Sequence, residues 1–138
     1  LEERGYVLAD LTLSGASPLG WAGRAVQAAK DFDAAFVVAE ANQGGDMVRT
    51  VLTMAGCPVP VRLVHARLGK RARAEPVAAL YEQGRITHCG AFGALEEELM
   101  ALGTEGMDHS PDRADALVWA LSELLLNRRA SAPRLSVL

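Results

Sequence analysis

Two acidic sites stand where a fold can put carboxylates to chemical use. Glu40 ends the apolar, β-branched run Phe36-Val37-Val38-Ala39, and the polar, Gly-rich turn Ala41-Asn42-Gln43-Gly44-Gly45 follows at once. Short apolar runs bounded by turn signals read as buried strands, and ligands in open α/β sheets gather at the carboxyl ends of such strands. Asp112 and Asp115 open an apolar segment three residues apart, on neighbouring parts of one helical face. If that helix packs beside Glu40, two or three carboxylates converge, and converging carboxylates repel unless a cation neutralises them. The fitting cation is Mg²⁺ or Mn²⁺, a hard ion that takes oxygen ligands. Two such ions about 3.5–4 Å apart activate water and stabilise the leaving oxygen in phosphodiester hydrolysis. The residues also admit a plainer account. In it, Glu40 is a strand-end acid in a salt bridge or capping a helix, Asp112 is an N-cap, and Asp115 is a surface acid favoured by the helix dipole.

The elements that must position these groups follow from patterning. Tyr6 to Leu13 reads as a strand after the Arg4-Gly5 turn. Ser17 and Pro18 supply an N-cap and first helical residue to a helix carrying Leu19, Ala22, Val26 and Ala29 and ending near Asp31. After the Phe36–Glu40 strand, a helix from about Gln43 to Ala55 carries Met47, Val48, Val51, Leu52 and Met54 inward. Gly56 closes it, and Pro58 and Pro60 prevent its continuation. Val61 to His65 is a short strand. The basic cluster Arg67, Lys70, Arg71 and Arg73 opens a helix through Glu75, Val77, Leu80 and Tyr81 that stops at Gly84. Arg85 to Cys89 is a short edge strand, and Phe92 to Leu102 an acidic-faced helix with Leu95, Leu99 and Leu102 inward and Glu96, Glu97 and Glu98 near its start. The last helix, after His109-Ser110-Pro111, carries the stripe Ala116, Leu117, Ala120, Leu121, Leu124 and Leu125. Alternating strands and helices predict an α/β fold with a largely parallel sheet, one domain over 1–127 and a flexible tail over 128–138.

Composition narrows the function classes. A chain of 138 residues, half of them hydrophobic, suffices for one core. Its net charge of −3 gives no global attraction to nucleic acid, so phosphate contact would have to be local, at Lys70, Arg71 and Arg73, with His109 as a further phosphate or water contact. Cys57 and Cys89 have no metal-ligand spacing, which suits reduced thiols in a cytosolic protein. No apolar run approaches the roughly 18 residues of a membrane span. No P-loop, GxGxxG, HExxH or GxSxG is present. Trp21 and Trp119 read as packing residues.

Four pieces in order resemble the C-terminal nuclease domain of the phage large terminase subunit, in the branch found in tailed phages and gene transfer agents. They are Tyr6 to Asp10 with Ser17-Pro18 and Trp21; Glu40 to Asp46; Gly69-Lys70-Arg71-Ala72-Arg73-Ala74-Glu75-Pro76; and His109 to Ala120. The resemblance implies an RNase H-like mixed sheet flanked by helices. It further implies a metal-dependent endonuclease, using two Mg²⁺ or Mn²⁺ ions, that cuts double-stranded DNA during genome packaging in the bacterial host cytoplasm. Implied partners are DNA, the packaging ATPase domain of the same protein, the portal and the small terminase subunit, and no membrane. Glu40 matches the acid on the family's central strand and Asp115 the acid on its final helix, with Asp112 as its rival. Lys70 and Arg71 fall in the family's basic loop near DNA. The family's first catalytic Asp lies on an opening strand, followed by a second strand antiparallel to it. This chain looks as if it begins after both, so Asp10 is not assigned that role and the first two strands are expected to be missing. Alternatives are another RNase H-like nuclease, such as a resolvase or transposase core, and a non-catalytic protein-docking module.

Overall fold

The computed structural model describes residues 3–41, 46–102 and 111–127. They form nine regular elements in the expected order. These are β1 (Gly5–Val7), α1 (Pro18–Asp31), β2 (Val37–Glu40), α2 (Asp46–Met54), β3 (Val61–Val64), α3 (Lys70–Glu82), β4 (Ile86–His88), α4 (Gly93–Ala101) and α5 (Asp112–Leu121). A single π-helical turn, Ser122–Leu126, prolongs α5. The expected helix start at Gln43, His109 and the tail over 128–138 lie outside the described residues.

The alternation predicts one largely parallel sheet; the described strands form two parallel pairs. Among the described residues β2 pairs in parallel with β3, and β1 in parallel with β4. The chain divides accordingly into two compact units. The described residues from 11 to 66 make a contiguous unit, and those up to 10 and from 67 onward make a two-piece unit.

In the contiguous unit α1 starts as its sequence dictates. The Ser17 Oγ accepts from the Gly20 N–H at 3.1 Å, and Pro18 takes the first turn, where no N–H is needed. β2 and β3 align Val37 with Val61 and Glu40 with Val64. Ala22, Val26 and Ala29 of α1 meet Val37 of β2 and Leu52 of α2 in one apolar core, with Trp21, Val48 and Val51 packed against it. Met47 and Met54, expected inward, are exposed. Val48, Val51, Leu52 and Ala55 share one face, and each methionine falls about 100° round the helix from it. Leu19 is exposed too, because the buried stripe of α1 begins one turn later at Ala22. Gly56, at φ 85°, ends α2 as expected, and the Cys57 N–H reaches back to the Leu52 carbonyl at 3.1 Å.

In the two-piece unit β1 is three residues long rather than eight. Its ladder extends only as far as its partner, from Gly5 opposite Ile86 to Val7 opposite His88. Leu8, Leu11 and Leu13, beyond it, are exposed. A side chain at Gly5 would meet Ile86 and Leu121, each 3.1 Å from an added Cβ, so glycine lets the strand approach β4 and α5 closely. The core joins Val7, Val77, Leu80, Leu95, Leu117, Val118, Leu121 and Leu125. Ala116 faces outward, and Val118 takes the inward place that the sequence stripe gave it.

Candidate active site

Asp115 lies in the first turn of α5 on the face that also buries Ala114 and Val118. That face is apolar, so an ionised carboxylate there requires a compensating charge. Arg73 supplies it from the start of α3: its Nη2 donates to Asp115 Oδ1 at 2.7 Å, and both side chains are 9% exposed. The Arg73 Nη1 donates to the Leu68 carbonyl at 2.6 Å, and its guanidinium carbon stands 4.7 Å from the centre of the Trp119 ring. The amino end of α5 adds its own favourable field at Asp115. Arg73, a candidate phosphate contact in the sequence, is turned inward to Asp115. Lys70 and Arg71, at the start of the same helix, are exposed. Trp119, expected in the core, is half-buried beneath the guanidinium.

Asp112, three residues before Asp115, is exposed. The two acids of the motif therefore have different surroundings although one helix carries both. Capping of α5, the plain role considered for Asp112, falls largely to a residue on another helix. Pro111 precedes α5 and offers no side-chain acceptor. Glu98 of α4, only 4% exposed, accepts from the Arg113 N–H at 3.0 Å and the Ala114 N–H at 3.3 Å. Its other oxygen accepts from Arg113 Nη1 at 2.8 Å. Arg113 Nε also stands 3.3 Å from Asp10, an ion pair without hydrogen-bond geometry. The hydrogen bond that Arg113 donates to Glu98, followed by the nearby Asp10 charge, holds the Arg113 pKa above its ordinary value against the opposing effect of burial.

Sequence patterning groups Glu98 with Glu96 and Glu97 near the start of the acidic-faced helix, and the structure buries it. The signal that finds it is its spacing: it stands three residues after Leu95 and four before Leu102, on the inward stripe of α4. The proline at the α5 cap is the second signal, because orphan N–H groups there need an acceptor from elsewhere.

Glu40 closes β2 opposite Val64 in the contiguous unit and is half-buried. The Ala41 N–H continues the ladder to the Val64 carbonyl at 2.8 Å, so the strand carries Glu40 to the carboxyl end of the β2–β3 pair, as expected. Glu40 and Asp115 thus belong to different units.

A hard divalent ion suits carboxylate donors of this type. Asp115 is already paired with the Arg73 guanidinium. The number of donors is smaller than a complete site uses: among the described residues no three of His, Cys, Asp and Glu come together. Glu40 and Asp115 are each a carboxylate of the kind such an ion takes, and the described residues bring neither together with two further donors.

No helix among the described residues is long and apolar enough to cross a membrane. No curated protein and no solved structure matches the chain. The family described as the terminase RNaseH-like domain matches residues 2–124, running through both units and taking in Glu40, the Lys70–Arg73 cluster, Asp112 and Asp115. The chain belongs to the terminase RNase H-like domain family.

Proposed function

We propose that this chain is the nuclease part of a DNA-packaging motor, a metal-dependent endonuclease that cuts double-stranded DNA as a phage or gene-transfer-agent genome is packaged. The observation that carries the reading is Asp115. It is a carboxylate buried against a single cation, at the position where the resemblance expects the acid of the final helix, in a chain whose family match covers it. Glu40, at the end of its strand, has the companion role.

Glu40 and Asp115 would hold Mg²⁺ or Mn²⁺, with Asp112 as the alternative on α5 and at least one further acid completing the set. Bound in pairs, such ions supply an activated water and neutralise the leaving oxygen of a phosphodiester. The chain's own part is to hold the carboxylates still and to position the DNA. Glu98 and Arg113 fix the start of α5 and so the place of Asp115. Exposed Lys70 and Arg71 grip backbone phosphates, a contact that carries no sequence information and weakens with salt. His109 serves as a further phosphate contact. The packaging ATPase domain, the portal and the small terminase subunit would deliver the DNA in the host cytoplasm.

The test is cleavage of a supercoiled plasmid in Mn²⁺. The proposal expects nicked and linear products that disappear with a chelator and with Glu40→Ala. Folded protein that leaves the plasmid intact and does not bind Mn²⁺ would return the chain to the class of docking modules.

A further inference from the structure

The Arg73 guanidinium reaches two different elements at once. Its Nη1 donates to the Leu68 carbonyl, in the segment that leads into α3, at 2.6 Å. Its Nη2 donates to Asp115 Oδ1 at 2.7 Å, and its plane lies over the ring of Trp119, one turn further along α5. One rigid, planar group therefore ties the entry of α3 to one face of α5. α3 begins at Gly69, which supplies no side-chain cap, and no acid stands in its first turn. Among the described residues the Asp115 carboxylate has no second hydrogen-bond partner. Glu98 holds the backbone at the start of α5, whereas Arg73 aims the carboxylate itself. The turn of α3 that carries Arg73 inward also carries Lys70 and Arg71, both exposed.

We propose that Arg73 is a positioning residue: it locks the first turn of α3 and the Asp115 carboxylate into one arrangement, so that a DNA phosphate held on Lys70 and Arg71 meets Asp115 in a set orientation. The inference rests on the nuclease reading of this site and deepens it. It gives Arg73 the task of alignment and leaves the grip on phosphate to Lys70 and Arg71. Alignment shows in the rate of a bound substrate, whereas a grip shows in its affinity. Lysine is therefore the diagnostic replacement. Arg73→Lys keeps a positive charge against Asp115, so the buried carboxylate is not orphaned. Its ammonium is a point charge, without the fork that reaches Leu68 and Asp115 together or the plane that covers Trp119.

The experiment measures kcat and KM for plasmid cleavage in Mn²⁺ by the whole chain and by Arg73→Lys. Affinity for a labelled duplex in the presence of a chelator is measured in parallel, all below the Tm of each protein. In Arg73→Lys the expected result is a kcat lower by roughly ten- to a hundredfold, the scale of a small misplacement of a reacting group. Its duplex affinity stays within about twofold, because the number of cations facing phosphate is unchanged. Arg73→Gln, which keeps a donor to Asp115 and loses the charge, supplies the same comparison if the lysine variant does not fold. An unchanged kcat in a folded variant overturns the proposal. So does a loss of duplex affinity equal to the loss of rate, which would make Arg73 part of the grip, and so does failure of both variants to fold, which would make it purely structural. Absence of cleavage by the unaltered chain overturns the nuclease reading and the proposal with it.

Discussion

In the two-piece unit two carboxylates, Glu98 and Asp115, lie within an otherwise apolar interior, each against an arginine. In the contiguous unit every fully buried residue among those described is apolar, and the acid of interest, Glu40, stands half-buried at the end of a strand. The difference separates two surroundings for a carboxylate. A strand end leaves it partly in water, where ionisation costs little. A helix face inside a core removes it from water, so a positive partner must be built in with it.

The largest consequence is for stability. Arg73→Ala leaves Asp115 buried and unpaired, and denaturant unfolding is expected to show a loss of about 3–5 kcal/mol. Combining it with Asp115→Ala should recover much of that loss, because the orphaned charge goes with its partner. A loss under about 1 kcal/mol for Arg73→Ala alone would mean the pair is solvated, and the contrast between the units would collapse.

Glu98→Ala comes next. It removes the acceptor for two N–H groups at the start of α5 and the partner of Arg113, and about 2–4 kcal/mol is expected to go. Glu98→Gln keeps one acceptor for the backbone and should lose roughly half as much, so the two variants divide capping from charge. In the contiguous unit Glu40→Gln should change stability by less than about 1 kcal/mol, as ordinary substitutions at half-exposed sites do. A large loss there would place Glu40 among the structural acids.

The smallest effect concerns Tyr81, whose hydroxyl meets His88 Nε2 at 2.7 Å. Burial, with a smaller contribution from Glu96, pushes the Tyr81 phenol from its ordinary 10.0 up to about 12. A group whose folded pKa is raised stabilises the fold below its unfolded pKa and loses that contribution as pH rises through the folded value. Stability from Tyr81 should therefore be intact up to about pH 10 and fade toward pH 12, by only about 1 kcal/mol once solvent screening at this half-buried site is allowed for. Tyr81→Phe should abolish that slope, and ultraviolet titration of the phenols should show one that ionises near pH 12.

Much of this organisation was legible in the residues. The order of strands and helices follows from apolar runs and their punctuation, and Ser17-Pro18 and Gly56 mark the ends where the structure has them. The position of Glu40 follows from the turn chemistry after it. Pairing between strands was not legible: β1 is short because β4 is short, and a strand's length depends on a partner 81 residues away. The direction of the basic cluster was hidden for a similar reason. Lys70, Arg71 and Arg73 look alike in sequence, and only the carboxylate on α5 selects which one turns inward. Glu98 was overlooked because three consecutive glutamates suggest a solvated face, although its spacing from Leu95 assigns it to the core.

The most direct test of the account is the effect of Mn²⁺ on the thermal unfolding of the chain, of Glu40→Ala and of Asp115→Asn. An ion that binds only the folded state stabilises it by about 2.7 kcal/mol at a hundredfold excess over its dissociation constant. The account predicts a clear rise in Tm for the unaltered chain and its loss in both variants, one from each unit. An equal rise in all three proteins, or none in the unaltered chain, would contradict the assignment of Glu40 and Asp115 as metal ligands.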